Sequence, residues 1–321
     1  MADSCAPVYE GVAMAPFHPD LRIARFIPPL NFTARTTALI NKATPRVPPT
    51  PVDMVIETLR VPGPEGAPDV SVRFYRPRAL RQPAPALFWI HGGGMITGSA
   101  LQDERSCVDF ARTLGITVAS VDYRLAPEHP APAALEDCYA ALRWLFDHAS
   151  ERDIDPTRIA IGGASAGGGL AAGVALMAHD RGEVDVAFQL LVYPMIDDRT
   201  VLRTDHDLPE VRVWTKKSNL YGWTSYVGTP GGAEVSDYAA PARRGDLGGL
   251  PPAWIGVGSF DLFHDEDIAY AQRLRDAGVP CEVTVIQGAF HGFDAVFPGK
   301  PVSKAFWRTQ ADALQKALFP A

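Results

Sequence analysis

Apolar and polar side chains alternate through two early stretches, Val52-Asp53-Met54-Val55-Ile56-Glu57-Thr58-Leu59 and Val70-Ser71-Val72-Arg73-Phe74-Tyr75. A period of two is that of a strand with one face buried, so these read as antiparallel strands that begin a sheet. Short apolar runs follow at about 86–90, 116–121, 158–162, 187–192, 253–257 and 281–286, separated by helical segments. Leu135, Cys138, Leu142 and Leu145 share one helix face after Pro132, and Trp307, Ala311, Leu314 and Leu318 share another near the end. Strand–helix alternation of this kind predicts an α/β fold: a mostly parallel eight-stranded sheet with helices on both faces. In such sheets the functional loops lie at the carboxyl ends of the strands.

Two regions break the alternation. Residues 1–50 are rich in proline and phenylalanine (Phe17, Phe26, Pro28, Pro29, Phe32, Pro48, Pro49), which argues against a core strand and for a segment that docks on something. Between the runs at 187–192 and 253–257 lies an insertion of about sixty residues, far longer than an ordinary α/β connection. It holds Trp214, Tyr221, Trp223 and Tyr226, and some of these rings are expected simply to pack a helix.

The chemistry begins at Gly163-Ala164-Ser165-Ala166-Gly167, between the apolar strand Arg158–Gly162 and a helix expected from about Gly168. A serine at so sharp a strand-to-helix reversal takes a strained backbone and needs small neighbours, the context of a nucleophile elbow. The pattern alone is weak, and a glycine-rich turn without chemistry is the competing reading. A second motif weighs against it. His91-Gly92-Gly93-Gly94 ends the apolar run Ala86–Ile90, and glycines leave backbone N–H groups open to the anionic oxygen of an acyl-transfer intermediate. Gly92 and Gly93 are the candidate donors, with the N–H of Ala166, the residue after the serine, as the other.

These motifs, with Asp122-Tyr123-Arg124-Leu125-Ala126-Pro127-Glu128-His129-Pro130-Ala131-Pro132-Ala133-Ala134, Tyr193-Pro194, Asp261 and His291-Gly292-Phe293, make the chain resemble the bacterial hormone-sensitive-lipase-like esterases of the α/β-hydrolase superfamily. The resemblance runs from about residue 70 to the C-terminus. Two departures are visible. Ala164 stands where the family often has Asp or Thr, and Asp261-Leu262-Phe263-His264-Asp265-Glu266 lacks the family's proline after the acid. The resemblance implies a catalytic domain over 51–321. It further implies that segment 1–50 and the insertion at about 195–250 form a helical cap over the serine.

Serine needs a base, and the base an orienting acid; in this fold the chain order is Ser, then Asp or Glu, then His. His291 follows the strand at 281–286 by a short loop and is the best base. Other histidines have blander duties: His148 and His179 sit at helix ends, His264 begins a helix, and His91 braces the glycine turn. Asp261 stands at the carboxyl end of a strand and is the expected acid, with helix N-capping as its other possible job. Asp265, Glu266 and Asp267 fall in the first turn of the next helix, where acids complement the helix dipole.

Composition excludes other classes. A 321-residue chain with 47% hydrophobic residues can bury one large core. Net charge of −7 without a Lys/Arg cluster argues against nucleic acid. The start of the chain lacks a secretory pattern and no apolar run spans a membrane, so no membrane partner is expected. Cys5, Cys107, Cys138 and Cys281 are far apart, without metal spacing, and the last three are expected to be buried thiols. This fits a cytoplasmic protein needing no metal and no organic cofactor. The reading is a serine carboxylesterase acting on a small-molecule ester with a short acyl group. Amide or carbamate hydrolysis by the same groups, or a non-catalytic receptor on the same fold, are its rivals. A homodimer stays open.

Overall fold

The computed structural model describes residues 16–43, 47–204 and 210–320. The eight strands are β1 (Met54–Val61), β2 (Val70–Pro77), β3 (Ala84–Ile90), β4 (Thr117–Asp122), β5 (Ile154–Ala164), β6 (Phe188–Val192), β7 (Ala253–Gly258) and β8 (Cys281–Ile286). They form one sheet in the order β1-β2-β4-β3-β5-β6-β7-β8. β2 runs antiparallel to both β1 and β4, and every later pair is parallel. The sheet therefore has the expected strand number and sense.

Helices α1 (Ala34–Lys42), α2 (Glu104–Leu114), α3 (Ala133–Asp147), α4 (Ala166–Arg181), α5 (Lys216–Val227), α6 (His264–Asp276), α7 (Phe293–Val296) and α8 (Pro301–Leu318) complete the frame. Two cores result, one on each face of the sheet. On one face Leu135, Cys138 and Leu142 of α3, Leu170 and Val174 of α4, and Tyr270 and Leu274 of α6 cover Phe88, Ile90, Ile161 and Ile255. On the other, Phe110 and Ala111 of α2 and Phe306 and Leu314 of α8 cover Leu87, Trp89, Leu190 and Trp254. β3 is buried along its whole length, as a strand covered on both faces must be. α4 is buried over Ala166–Ala178, which explains why its sequence is small and apolar all round rather than striped.

The N-terminal segment contributes a 3-10 turn at Pro19–Phe26 and helix α1. α1 buries only Thr37, and it is held mainly by contacts at its ends. The Asn41 amide donates to the Ile96 carbonyl at 2.9 Å, and the Phe32 N–H donates to Ser218 Oγ at 2.9 Å. The segment thus rests on the loop after β3 and on α5 of the insertion. No described helix is long and apolar enough to cross a membrane.

Candidate active site

Ser165 sits between β5 and α4 with φ 57 and ψ −121, in the left-handed region that a residue with a Cβ rarely enters. Three hydrogen bonds hold it there. Its N–H donates to the Val192 carbonyl at 2.8 Å, and its own carbonyl accepts from Gly169 and Met195, each at 3.0 Å. The flanking glycines are required by close approach. A Cβ on Gly163 would lie 2.3 Å from the Gly167 carbonyl oxygen, and one on Gly167 would lie 2.0 Å from that of Ile90.

His291 reaches the serine from the loop after β8. Ser165 Oγ and His291 Nε2 are 2.9 Å apart, and His291 Nδ1 lies 2.8 Å from Asp261 Oδ2. Asp261, beyond the end of β7, takes the Phe263 N–H on its other oxygen at 3.0 Å. Both carboxylate oxygens are engaged, and the helix that follows is capped at Phe263 rather than Asp261. With the carboxylate accepting at Nδ1, that nitrogen carries the proton and Nε2 is left to accept from the serine hydroxyl. Tyr193 and Phe263 pack edge-on against the imidazole, with centroids at 4.9 and 5.1 Å, and fix the plane of the ring. All three members of the chain are buried.

The glycine turn lies against the serine. A Cβ on Gly92 would meet the Ala164 carbonyl at 2.9 Å and Ser165 Cβ at 3.4 Å. Gly93, at φ 120, closes the turn by accepting the N–H groups of Ile96 and Thr97, both at 3.1 Å. Ala166 opens α4, where the first N–H groups have no acceptor within the helix. The structure thus gathers Gly92, Gly93 and Ala166 around Ser165.

His91 braces this turn as expected. Its Nδ1–H donates to the Gly92 carbonyl at 2.7 Å, and its ring stacks on Tyr123 at 4.2 Å. Burial pushes its pKa down, partly offset by the bond to Gly92, so the ring is held neutral. The long motif after β4 now has a role. Tyr123 O–H donates to the His91 carbonyl at 2.9 Å, Ala126 N–H to the Met95 carbonyl at 2.9 Å, and Arg124 pairs with buried Asp137 at 2.7 Å. The motif laces the glycine turn to α3.

A cavity of about 600 Å³ opens onto Ser165 and His291. Phe32, Ile40 and Asn41 line it from the N-terminal segment, and Val213 and Trp214 from the insertion. Of the four aromatic rings flagged in the insertion, only Trp214 lines it; Trp223 and Tyr226 are buried in the packing of α5. The Trp214 ring lies so close to Gly94 that a Cβ there would be 2.1 Å from it. Ile40 and Val296 on the cavity wall are 46% and 40% exposed, so the covering has an open rim. Leu125 of the long motif and Tyr193 of the Tyr193-Pro194 pair also line the cavity, as does Asp103, which belongs to no motif.

One expectation, the burial of Cys281, is corrected. Glu266 and Asp267 stand in the first turn of α6 as expected, and both are buried. Glu266 Oε1 accepts the N–H groups of Ile196 and Asp197 at 2.9 and 3.1 Å, and its Oε2 accepts from Thr200. Cys281, at the start of the edge strand β8, is only half-buried, whereas Cys107 and Cys138 are enclosed. His206 and Cys5 fall outside the described residues.

Residues 87–295 match the model of a family described by the alpha/beta hydrolase fold. The chain belongs to that family. Esterase LipI of Mycobacterium tuberculosis is 38% identical over 256 residues, which is 78% of each chain. Carboxylesterase NlhH of the same species is 36% identical over 295 residues, 88% of this chain and 90% of the relative. Among solved structures, a bacterial heroin esterase is 40% identical with a TM-score of 0.84, covering 94% of this chain and 98% of its own. The resemblance read from the motifs, and the α/β-hydrolase fold it implied, are borne out.

Proposed function

We propose that this hydrolase is a serine carboxylesterase acting on short-chain esters, with Ser165 as nucleophile, His291 as general base and Asp261 as the orienting acid. The observation that carries this reading is the unbroken hydrogen-bonded relay, 2.9 Å from Ser165 to His291 and 2.8 Å on to Asp261, ending at a strained serine between β5 and α4. Its relatives are named esterase and carboxylesterase, in agreement.

In this mechanism His291 Nε2 takes the Ser165 proton as Oγ attacks the ester carbonyl, and Asp261 stabilises the imidazolium that forms. The N–H groups of Gly92, Gly93 and Ala166 receive the oxyanion, which they can approach because two of the three bear no side chain. His291 then returns the proton to the departing alcohol, and water repeats the sequence on the acyl-enzyme. A cavity of about 600 Å³, partly roofed by Phe32, Ile40 and Trp214, suits a small ester.

The test is a panel of p-nitrophenyl esters from two to sixteen acyl carbons, run beside the anilide of the best acyl group. Turnover should peak among short acyl groups, with the anilide far slower. Absence of ester turnover, or a peak at the long end, would overturn the reading.

A further inference from the structure

Tyr193 follows β6 with φ 37, a positive value that a residue with a Cβ rarely adopts. Its N–H donates to the Gly256 carbonyl of β7 at 2.7 Å. Its neighbours hold the serine: Val192 accepts the Ser165 N–H, and Met195 donates to the Ser165 carbonyl. Backbone strain of this kind persists only where the surroundings enforce it, and it gathers at active sites. Here it delivers a ring to the base. The Tyr193 ring meets His291 edge-on, with centroids 4.9 Å apart and planes at 66°, and it also stacks on Phe306 at 6.2 Å.

The hydroxyl at the tip of that ring donates to Asp294 Oδ1 at 2.9 Å. Burial and the Asp294 carboxylate push this hydroxyl well above its usual range, so it keeps its proton and stays a donor. Asp294 is half-buried in α7, three residues after His291. Its carboxylate also accepts the N–H groups of Asp294 and Ala295, so the short segment that carries His291 fixes its place. A closed circuit results. It runs along the chain from His291 to Asp294, across the hydrogen bond to Tyr193, and back from the tyrosine ring to the imidazole.

The bond to Asp261 sets the position of one nitrogen of His291 and leaves the tilt of the ring to its packing. Phe263 and Tyr193 supply that packing. Phe263 is fully enclosed, whereas the Tyr193 ring lines the cavity at Ser165 and needs a second hold. We propose that Asp294 is a positioning residue for the triad: through the Tyr193 hydroxyl it holds the ring that keeps His291 Nε2 aimed at Ser165 Oγ. The inference rests on the esterase reading and extends its machinery by one hydrogen bond. A small misplacement of the base costs rate rather than binding, because the proton moves only on the way to the transition state.

The test is a double-mutant cycle on the full chain: Tyr193→Phe, Asp294→Ala and the two together, with p-nitrophenyl acetate as substrate. Turnover is expressed per serine titrated to completion by a fluorophosphonate, which removes any loss of folded protein from the comparison. Each single variant should lose about tenfold in kcat with KM nearly unchanged, the mark of a contact that counts in the transition state. The double variant should lose no more than either single one, whereas independent roles would multiply to about a hundredfold. Full kcat in Tyr193→Phe overturns this inference alone, including the case where Asp294→Ala is slow and the carboxylate acts by its charge. Losses that multiply overturn it too. Failure of the parent to hydrolyse any short ester overturns the esterase reading and this inference together.

Discussion

The Ile196 N–H donates to Oε1 of Glu266 at 2.9 Å, tying the first residues after β6 to the helix that begins behind Asp261. Asp197 N–H and Thr200 O–H share the same carboxylate, so one buried side chain anchors the head of the insertion to the loop that presents the acid. Replacing it with alanine strands three donors in the interior. Each unsatisfied donor costs about 1–3 kcal/mol, so Glu266→Ala should lose about 3 kcal/mol or more after partial relaxation. Glu266→Gln, which keeps one acceptor, should lose about 1 kcal/mol. Urea denaturation of the two variants decides the point, and a loss below about 0.5 kcal/mol in Glu266→Ala would show that the contact holds nothing.

Ser165→Ala should fold like the parent, since either residue bears the same left-handed backbone strain and alanine needs no more room. A fluorophosphonate probe should label the parent at Ser165 and leave the variant unlabelled. Labelling at another residue, or undiminished ester turnover in the variant, would contradict the nucleophile.

Asp261→Asn removes the acceptor that keeps the proton on His291 Nδ1. Turnover should drop by about four orders of magnitude, the size of the loss in a comparable triad whose histidine takes the wrong tautomer. Asp265, exposed and beside His264 at 2.9 Å, should tolerate the same change with little loss. Equal damage at the two positions would mean that the acid has been assigned to the wrong carboxylate.

The contrast between Asp261 and Glu266 shows how far the sequence could be read. A strand end followed by Asp, in the chain order Ser, Asp, His, is a local signal, and the sheet delivers Asp261 to His291 as that order implies. Glu266 has no such signal. Five residues later, in a helix's first turn, an acid looks like any dipole partner, and only the fold brings Ile196 to it across seventy positions. The same limit applies to the insertion, where Trp214, Trp223 and Tyr226 are equally aromatic and only the fold brings Trp214, just before α5, to the cavity while α5 keeps Trp223 and Tyr226 in the core.

Asp267 gives a pH-dependent prediction. Its carboxyl is fully buried, neither oxygen has a partner among the described residues, and burial raises its pKa well above the ordinary value. In the unfolded chain the group releases its proton near pH 3.9, while the folded protein retains it. The unfolded state then binds fewer protons, so stability falls as pH rises through that window and stops falling only above the folded pKa. Asp267→Asn removes this cost. The variant's melting temperature should match or trail the parent's near pH 3.5 and overtake it progressively toward pH 7. A difference that stays constant over that range would show that Asp267 is not held in its neutral form.

The N-terminal segment supplies the remaining test, because Phe32, Ile40 and Asn41 stand on the cavity wall while α1 itself buries little. Phe32 also packs on Trp214, with centroids at 5.3 Å, so the segment props an insertion ring that lines the cavity. If these contacts limit the acyl group, deleting residues 1–43 should open the cavity from above and free Trp214 to move. Short-ester kcat/KM should fall by about tenfold or more as positioning is lost, while longer acyl groups lose less, so the chain-length profile flattens. Ser165 should stay reactive to a fluorophosphonate, since its hydrogen bonds run to Val192, Gly169, Met195 and His291, all outside the deleted segment. The opposing view holds that the segment merely covers the ends of other elements. Under that view a truncated chain that folds would keep the parent's profile, and that result would remove the segment from any account of substrate size.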